Sequence, residues 1–153
     1  MKLRVVCIGK ARRGAPEEAL VEEYAGRIGR YVPFEIVVAS EARGDDAAAR
    51  REEAERIRAK LRPRDSVVLL DERGEELASP AFAARLAAAE RSGGRDLAFV
   101  LGGASGFDDS LRAQAAFSLA LSRFTLPHLL ARVVLVEQLY RALTILRGEP
   151  YHK

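Results

Sequence analysis

The chain predicts an α/β domain with a mostly parallel sheet and flanking helices, on three observations. Apolar runs of strand length recur along it, charged or alanine-rich stretches of helical length separate them, and no internal repeat or linker interrupts the series. At 153 residues, 48% hydrophobic and 31% charged, it is one domain able to bury a substantial core.

Leu3 to Ile8 reads as a buried strand, followed by a basic loop that ends at Pro16, a residue suited to a first helical turn. Glu17, Glu18, Glu22 and Glu23 then occupy the turns where a helix dipole favours acids, and that helix is expected to run to about Arg30. A second strand follows at Phe34 to Ala39, and Asp45 or Asp46 caps a highly charged helix that continues to Arg62, just before Pro63. Ser66 to Leu70 is a third strand, apolar throughout as parallel strands covered on both faces are.

Asp71 to Ala78 is expected as an exposed loop, with Ser79 as N-cap and Pro80 in the first turn of an alanine-rich helix to Arg91, stopped by Gly93 and Gly94. Leu97 to Leu101 is the fourth strand, and a glycine-rich turn leads to a short helix capped by Asp108 or Asp109. The fifth strand is the run Phe117 to Leu121, broken by a loop through Pro127 to His128. From Leu129 a last helix is apolar on nearly every face, with Glu137, Arg141 and Thr144 as its polar stripe. So apolar a helix calls for two partners, its own sheet and a second copy of the chain.

The composition narrows the function. The chain has no 18-residue apolar run free of charge and no signal-peptide pattern at its start, so a cytoplasmic protein is expected. A single cysteine, Cys7, excludes an intrachain disulfide, and two histidines make no convincing metal site, so no metal is expected. Residues 121 to 153 carry five basic side chains (Arg123, Arg132, Arg141, Arg147, Lys153) against Glu137 and Glu149, a net +3, while the first 120 residues are neutral overall. A second basic group, Lys2, Arg4, Lys10, Arg12 and Arg13, lies near the N-terminus, and the two ends together fit the flanks of one polyanion surface. Solvated loop arginines are the plainer reading of either.

In parallel sheets ligands bind beyond the carboxyl ends of the strands, which selects the loops after Leu70, Leu101 and Leu121. Gly102, Gly103 and Gly106 follow the fourth strand but do not spell the dinucleotide fingerprint, so a nucleotide-dependent oxidoreductase is disfavoured.

Four blocks carry a likeness. They are LGGASGF at 101–107, LSRFTLPH at 121–128, VEQLYRA at 136–142 and the terminal PYHK, behind the opening MKLRVVCIGK. In this combination and order, along the whole chain, they resemble the small SPOUT-class methyltransferases that methylate a pseudouridine of large-subunit ribosomal RNA. The resemblance implies a C-terminal deep trefoil knot, with the last helix threaded through a loop formed earlier. It also implies S-adenosylmethionine as cofactor, enclosed by Leu70, by Gly102 and Gly103, and by Leu121, Ser122, Arg123, Phe124, Thr125 and Leu126. It further implies a homodimer in which the tail of one subunit completes the pocket of the other, acting on N3 of the pseudouridine. With no separate RNA-binding domain, an assembled ribosome is the expected substrate.

The residues fit that chemistry. A sulfonium is already an activated methyl donor, so the protein has to align a nucleophile and help strip its proton. Pseudouridine N3 lies between two carbonyls, and a cation beside it would stabilise the developing anion. Arg141 is the candidate cation, with Glu137 at i, i+4 to orient it; a bare ion pair of that kind is worth only about 0.3–0.5 kcal/mol. His152 is the candidate base or base-positioner, and Tyr151 a platform for a splayed-out nucleotide. His128 is expected to order its own loop. Gly148 stands where the family commonly has Asn, which preserves a left-handed helix end but no side-chain role. The alternatives are a related methyltransferase for another RNA position and a ribosome-associated RNA-binding protein without catalysis.

Overall fold

The computed structural model describes residues 1–9, 12–44, 46–93 and 95–153; the expectations placed on Lys10, Asp45 and Gly94 lie outside them. Its elements run β1 (Leu3–Ile8), α1 (Pro16–Ile28), β2 (Phe34–Ala39), α2 (Ala47–Arg58), β3 (Asp65–Glu76), α3 (Ser79–Arg91), β4 (Asp96–Leu101), α4 (Asp109–Gln114), β5 (Phe117–Ala120) and α5 (His128–Arg147). The strands form one sheet in the order β2-β1-β4-β3-β5, every pair parallel.

Successive side chains on a strand point to opposite faces, and β1 shows the consequence. Leu3, Val5 and Cys7 join a core with residues of α1, α3 and α5, whereas Val6 and Ile8 join a second core with residues of α2 and α4. Burial on both faces is why the strand runs are apolar without alternation. Phe99 meets Phe82 edge-on with ring centroids 6.0 Å apart, fixing α3 on the first face.

Caps settle the helix starts. The Asp46 carboxylate accepts from the Ala49 amide at 2.9 Å, and that of Asp108 from the Leu111 amide at 2.8 Å. Ser79, expected as an N-cap, is instead the first residue of α3; its hydroxyl donates to Gln138 of α5 at 2.6 Å. The first two helices stop short of the expected Arg30 and Arg62, at Ile28 and Arg58, each running into tight turns.

The expected loop at Asp71 is the main departure. β3 runs on to Glu76 and meets β5 in two registers, Leu70 opposite Leu119 and then, beyond a bulge, Glu75 opposite Leu119 and Glu76 opposite Ala120. A Cβ on Gly74 would lie 2.6 Å from the Leu119 backbone, so only glycine lets the two chains pass here.

Two members of the expected basic surface are buried. Arg4 is 4% exposed, its guanidinium held between Glu35 and Asp65, both at 2.6 Å. Arg132 is 2% exposed and bonds Glu18 of α1 at 3.2 Å. Thr144 is wholly buried too, donating to the Arg141 carbonyl, so it takes no part in an exposed stripe on α5.

Candidate functional site

The predicted site residues gather in two groups at opposite ends of α5. The first group forms at the carboxyl edge of the sheet, where register makes neighbours of three chain segments. Leu70 of β3 pairs with Leu101 of β4 on one side and Leu119 of β5 on the other, so Gly102 and Leu121 leave the sheet beside it. Leu70 and Leu121 are half-buried against the first core, and Leu126 is half-buried as well. In the loop between β5 and α5 the Ser122 hydroxyl accepts from the Phe124 amide at 2.9 Å. Arg123 donates to both carboxylate oxygens of Glu76 at 3.0 Å, which ties this loop to the extended end of β3. Thr125 is exposed, and Phe124, 84% exposed, is the largest uncovered apolar side chain.

Gly102 and Gly103 of the β4 loop both sit against protein. A Cβ on Gly102 would lie 2.9 Å from the Phe107 ring, and one on Gly103 would lie 3.0 Å from both the Glu53 carboxylate and Ile8. Behind Phe107, Arg112 of α4 stands 5.9 Å from the ring centroid and pairs with Asp71. The Asp71 side chain is only 8% exposed and accepts from the Arg73 amide at 3.0 Å. Phe107, Arg112 and Asp71 thus brace the loop from beneath, a support the sequence reading assigned to none of them.

Glu53 is the other residue that reading passed over. It is 2% exposed; one carboxylate oxygen accepts from the Ala42 amide at 3.3 Å and the other has no hydrogen-bond partner. Burial raises its pKa, against a smaller lowering by the Ala42 hydrogen bond. A signal was present, since Ala49, Glu53 and Ile57 recur at i, i+4, i+8 and Glu53 takes an apolar position on the buried stripe of α2.

His128 opens α5 next to the β1 and β4 ends, with its ring carbon and nitrogen about 3.5 Å and 3.4 Å from where a Gly9 Cβ would stand. Burial first, then the Arg132 charge, lowers its pKa, so it packs as a neutral ring that shapes its loop.

The second group lies thirteen residues further along α5, about 20 Å away at the helical rise of 1.5 Å per residue. One Glu137 oxygen accepts from Arg141 at 3.0 and 2.6 Å and from the Tyr151 hydroxyl at 3.0 Å; the other accepts from Gln138 at 2.7 Å. Glu137 is therefore occupied as an orienter. The Arg141 guanidinium also lies 4.7 Å from the Tyr151 ring centroid and 3.4 Å from His152 Nδ1. An arginine only donates, so Nδ1 accepts and the outward Nε2 carries the ring hydrogen.

The tail is folded back on its own chain. Gly148 adopts the left-handed conformation, φ 68°, and ends α5 with its amide on Ile145 and that of Glu149 on Thr144. Tyr31 donates to Glu149 at 2.5 Å, and Tyr24 meets Tyr151 at 3.3 Å between hydroxyl oxygens. Because Tyr151 gives its proton to Glu137, Tyr24 is the donor there. Burial, then the bonds to Tyr24 and Glu137, hold the Tyr151 pKa above its ordinary value, and the Glu137 bond raises that of Arg141. At neutral pH the pair offers a neutral phenol and a fixed cation.

A five-stranded, all-parallel sheet with helices packed on both faces defines the fold class. The family model described as predicted SPOUT methyltransferase matches residues 1–152, and the chain belongs to that family. It is 57% identical to a ribosomal RNA large subunit methyltransferase H of Anaeromyxobacter sp. (strain Fw109-5), over the whole of both chains. A protein of the same name from Geotalea uraniireducens (strain Rf4) is 49% identical over 99% of each. Among solved structures, a probable methylase family protein from Haemophilus influenzae Rd KW20 shares the fold, with TM-score 0.56 and 14% identity over 99% of this chain and 70% of that one.

Among the described residues no helix is long and apolar enough to cross a membrane, and no three His, Cys, Asp or Glu side chains cluster as a metal would require.

Proposed function

We propose that this protein is an S-adenosylmethionine-dependent methyltransferase of large-subunit ribosomal RNA that acts in the cytoplasm, as a homodimer, on N3 of a pseudouridine in the assembled ribosome. The full-length identity with the methyltransferases H carries the activity. The convergence of Leu70, Gly102 and the 121–126 loop supports the place of the cofactor.

The residues present fit that cofactor. Leu70, Leu121 and Leu126 supply apolar cover for a flat base, and the β4 loop supplies backbone donors and acceptors for its edge. Gly103 and the loop from Ser122 to Thr125, with Phe124 and Arg123, close the pocket. When bound, S-adenosylmethionine supplies a methyl group activated by its sulfonium. Arg141 contributes a fixed cation against the anion that forms as N3 loses its proton, and Glu137 keeps the guanidinium from swinging away. Tyr151 gives a ring face for the splayed nucleotide. With its Nε2 hydrogen outward, His152 acts as a positioner that donates to a base carbonyl; serving as base would require it to leave Arg141.

The separation of Arg141 from the cofactor loops, about 20 Å along one α5, supports a partner that brings its tail to them. Exposed Phe124, Leu130 and Leu146 provide apolar surface for that partner. The C-terminal knot of the family is consistent with a strand order that places β4 between β1 and β3 before β5 closes the edge.

The test is to incubate the purified protein with radiolabelled S-adenosylmethionine and ribosomes that lack this modification, then map the label by mass spectrometry of RNA digests. The expected result is one methylated pseudouridine in the large subunit, with a short isolated hairpin a poor substrate. No incorporation into ribosomes or their subunits would overturn the reading.

A further inference from the structure

Among the described residues Glu53 is the one acid that is buried as a whole residue, and it has no cationic partner. An unpaired carboxyl group withdrawn from water is costly to ionise, so a structural role alone is better filled by an amide or an apolar side chain. The position of Glu53 is specific. Its free oxygen comes within 3.0 Å of where a Gly103 side chain would begin, directly under the loop assigned to the cofactor. Other acids of that region are already matched, Asp71 by Arg112 and Glu76 by Arg123. Among the described residues the charges that act on Glu53 are Glu41, Glu52 and Arg56. Arg56 is turned away to the carbonyls of Ser40 and Glu41 and to Glu52, and among the described residues no guanidinium or ammonium reaches Glu53.

Methyl transfer changes the charge of the ligand in this site. The methyl carbon bonds to the RNA nitrogen, the C–S electron pair stays on sulfur, and the nitrogen's proton leaves. A sulfonium cation becomes a neutral thioether. We propose, resting on the methyltransferase reading above, that Glu53 is the counter-charge of the cofactor site: the sulfonium, acting through the Gly103 backbone, favours the ionised form of Glu53 and is in turn favoured by it over the thioether product, so that reaction itself loosens the spent cofactor. The acid needs no contact with either ligand, because in a water-poor site charge acts across a peptide unit. Glu53 is thus a specificity-determining residue that acts from behind the loop.

The experiment is calorimetric titration of the full-length protein with S-adenosylmethionine, with its thioether product S-adenosylhomocysteine and with an aza analogue whose ammonium replaces the sulfonium. The wild type is expected to bind both cations more tightly than the thioether. Glu53→Gln, which keeps shape and the Ala42 hydrogen bond, should cut that preference about tenfold, mostly through the cations; a tenfold change corresponds to about 1.4 kcal/mol. Equal affinity of the wild type for cation and thioether overturns the proposal without any variant. So does a Glu53→Gln protein that weakens all three ligands alike, the result a merely structural role gives. In both cases the ligands still bind, so the methyltransferase reading stands. If the wild type binds none of them, that reading falls and this inference falls with it.

Discussion

Replacing Gly74 by alanine tests the bulge that brings β3 and β5 together. No left-handed φ is required at Gly74, so the substitution carries no conformational penalty and isolates one steric contact. The added methyl would meet the Leu119 nitrogen at 2.7 Å and its carbonyl carbon at 2.6 Å. Reaching ordinary contact at 3.4 Å means opening the strands by about 0.8 Å, and these are backbone atoms that no rotamer change can move. Overpacking of this kind costs about 1–3 kcal/mol, and losing one of the ladder bonds beyond the bulge adds about 1 kcal/mol. A sum near 3 kcal/mol lowers Tm by about 6–12 °C for a domain of this size. Scanning calorimetry measures it, with Gly26→Ala as the opposite control: that glycine is inside α1 with nothing within 4 Å of a new Cβ. Alanine there should stabilise by about 1 kcal/mol. A Gly74→Ala protein within about 0.5 kcal/mol of wild type would mean that the strands relax freely and that the close passage is not needed.

Three further outcomes follow from the geometry. Arg141→Ala should abolish methyl incorporation while calorimetry finds cofactor affinity nearly intact, and deletion of Tyr151 to Lys153 should do the same; undiminished turnover in either removes that group from the mechanism. Burial pushes the Cys7 thiol from 9.0 up to about 11, against a smaller opposing pull from Arg132. The neutral thiol is the folded form, so its contribution to stability is whole below pH 9.0 and disappears as pH climbs through about 11, and iodoacetamide labelling at mildly alkaline pH should be far slower in the native than in the denatured protein. Replacing the pair together, Arg132→Met with Glu18→Gln, should leave Tm unchanged or raise it, since the buried guanidinium has two unsatisfied nitrogens and a single carboxylate partner; a large loss of stability would show that the ion pair outweighs its desolvation.

Sequence made the strands and their succession along the chain legible, though not their order in the sheet, because burial on both faces leaves an unmistakable apolar run, as in LRVVCI and LAFVL. It also narrowed the caps to Asp45 or Asp46 and to Asp108 or Asp109, of which Asp46 and Asp108 do the capping, and marked Gly148; these roles depend on neighbours within a few residues. What it hid depends on distant partners. Asp71 to Glu76 has the composition of a loop and becomes strand because β5, more than forty residues on, lies against Gly74. Arg4 and Arg132 look like surface charge, and only Glu35, Asp65 and Glu18, brought from other elements, make their burial tolerable. Of the quartet at the end of α5, the pair Glu137 and Arg141 was readable because the two share a helical face, whereas Tyr151 and His152 stood out only through the resemblance. Its distance from the cofactor loops was not, for it depends on the direction in which α5 runs away from them.

That direction bears on how the proposed dimer would work. In a single chain the tail is already built: Glu149 is held by Tyr31, Tyr151 by Tyr24 and Glu137, and Arg141 by Glu137. A second subunit therefore has no need to order a loose tail, a step that costs on the order of 0.5–1.5 kcal/mol per immobilised side chain. It has only to set one rigid cluster over the other's loops. Association then spends its binding energy on apolar contact through residues such as Phe124 and Leu130, and the geometry of Arg141 arrives fixed by its own helix. A site divided in this way is assembled by docking rather than by folding, so loss of the dimer should remove turnover while leaving each half of the site intact.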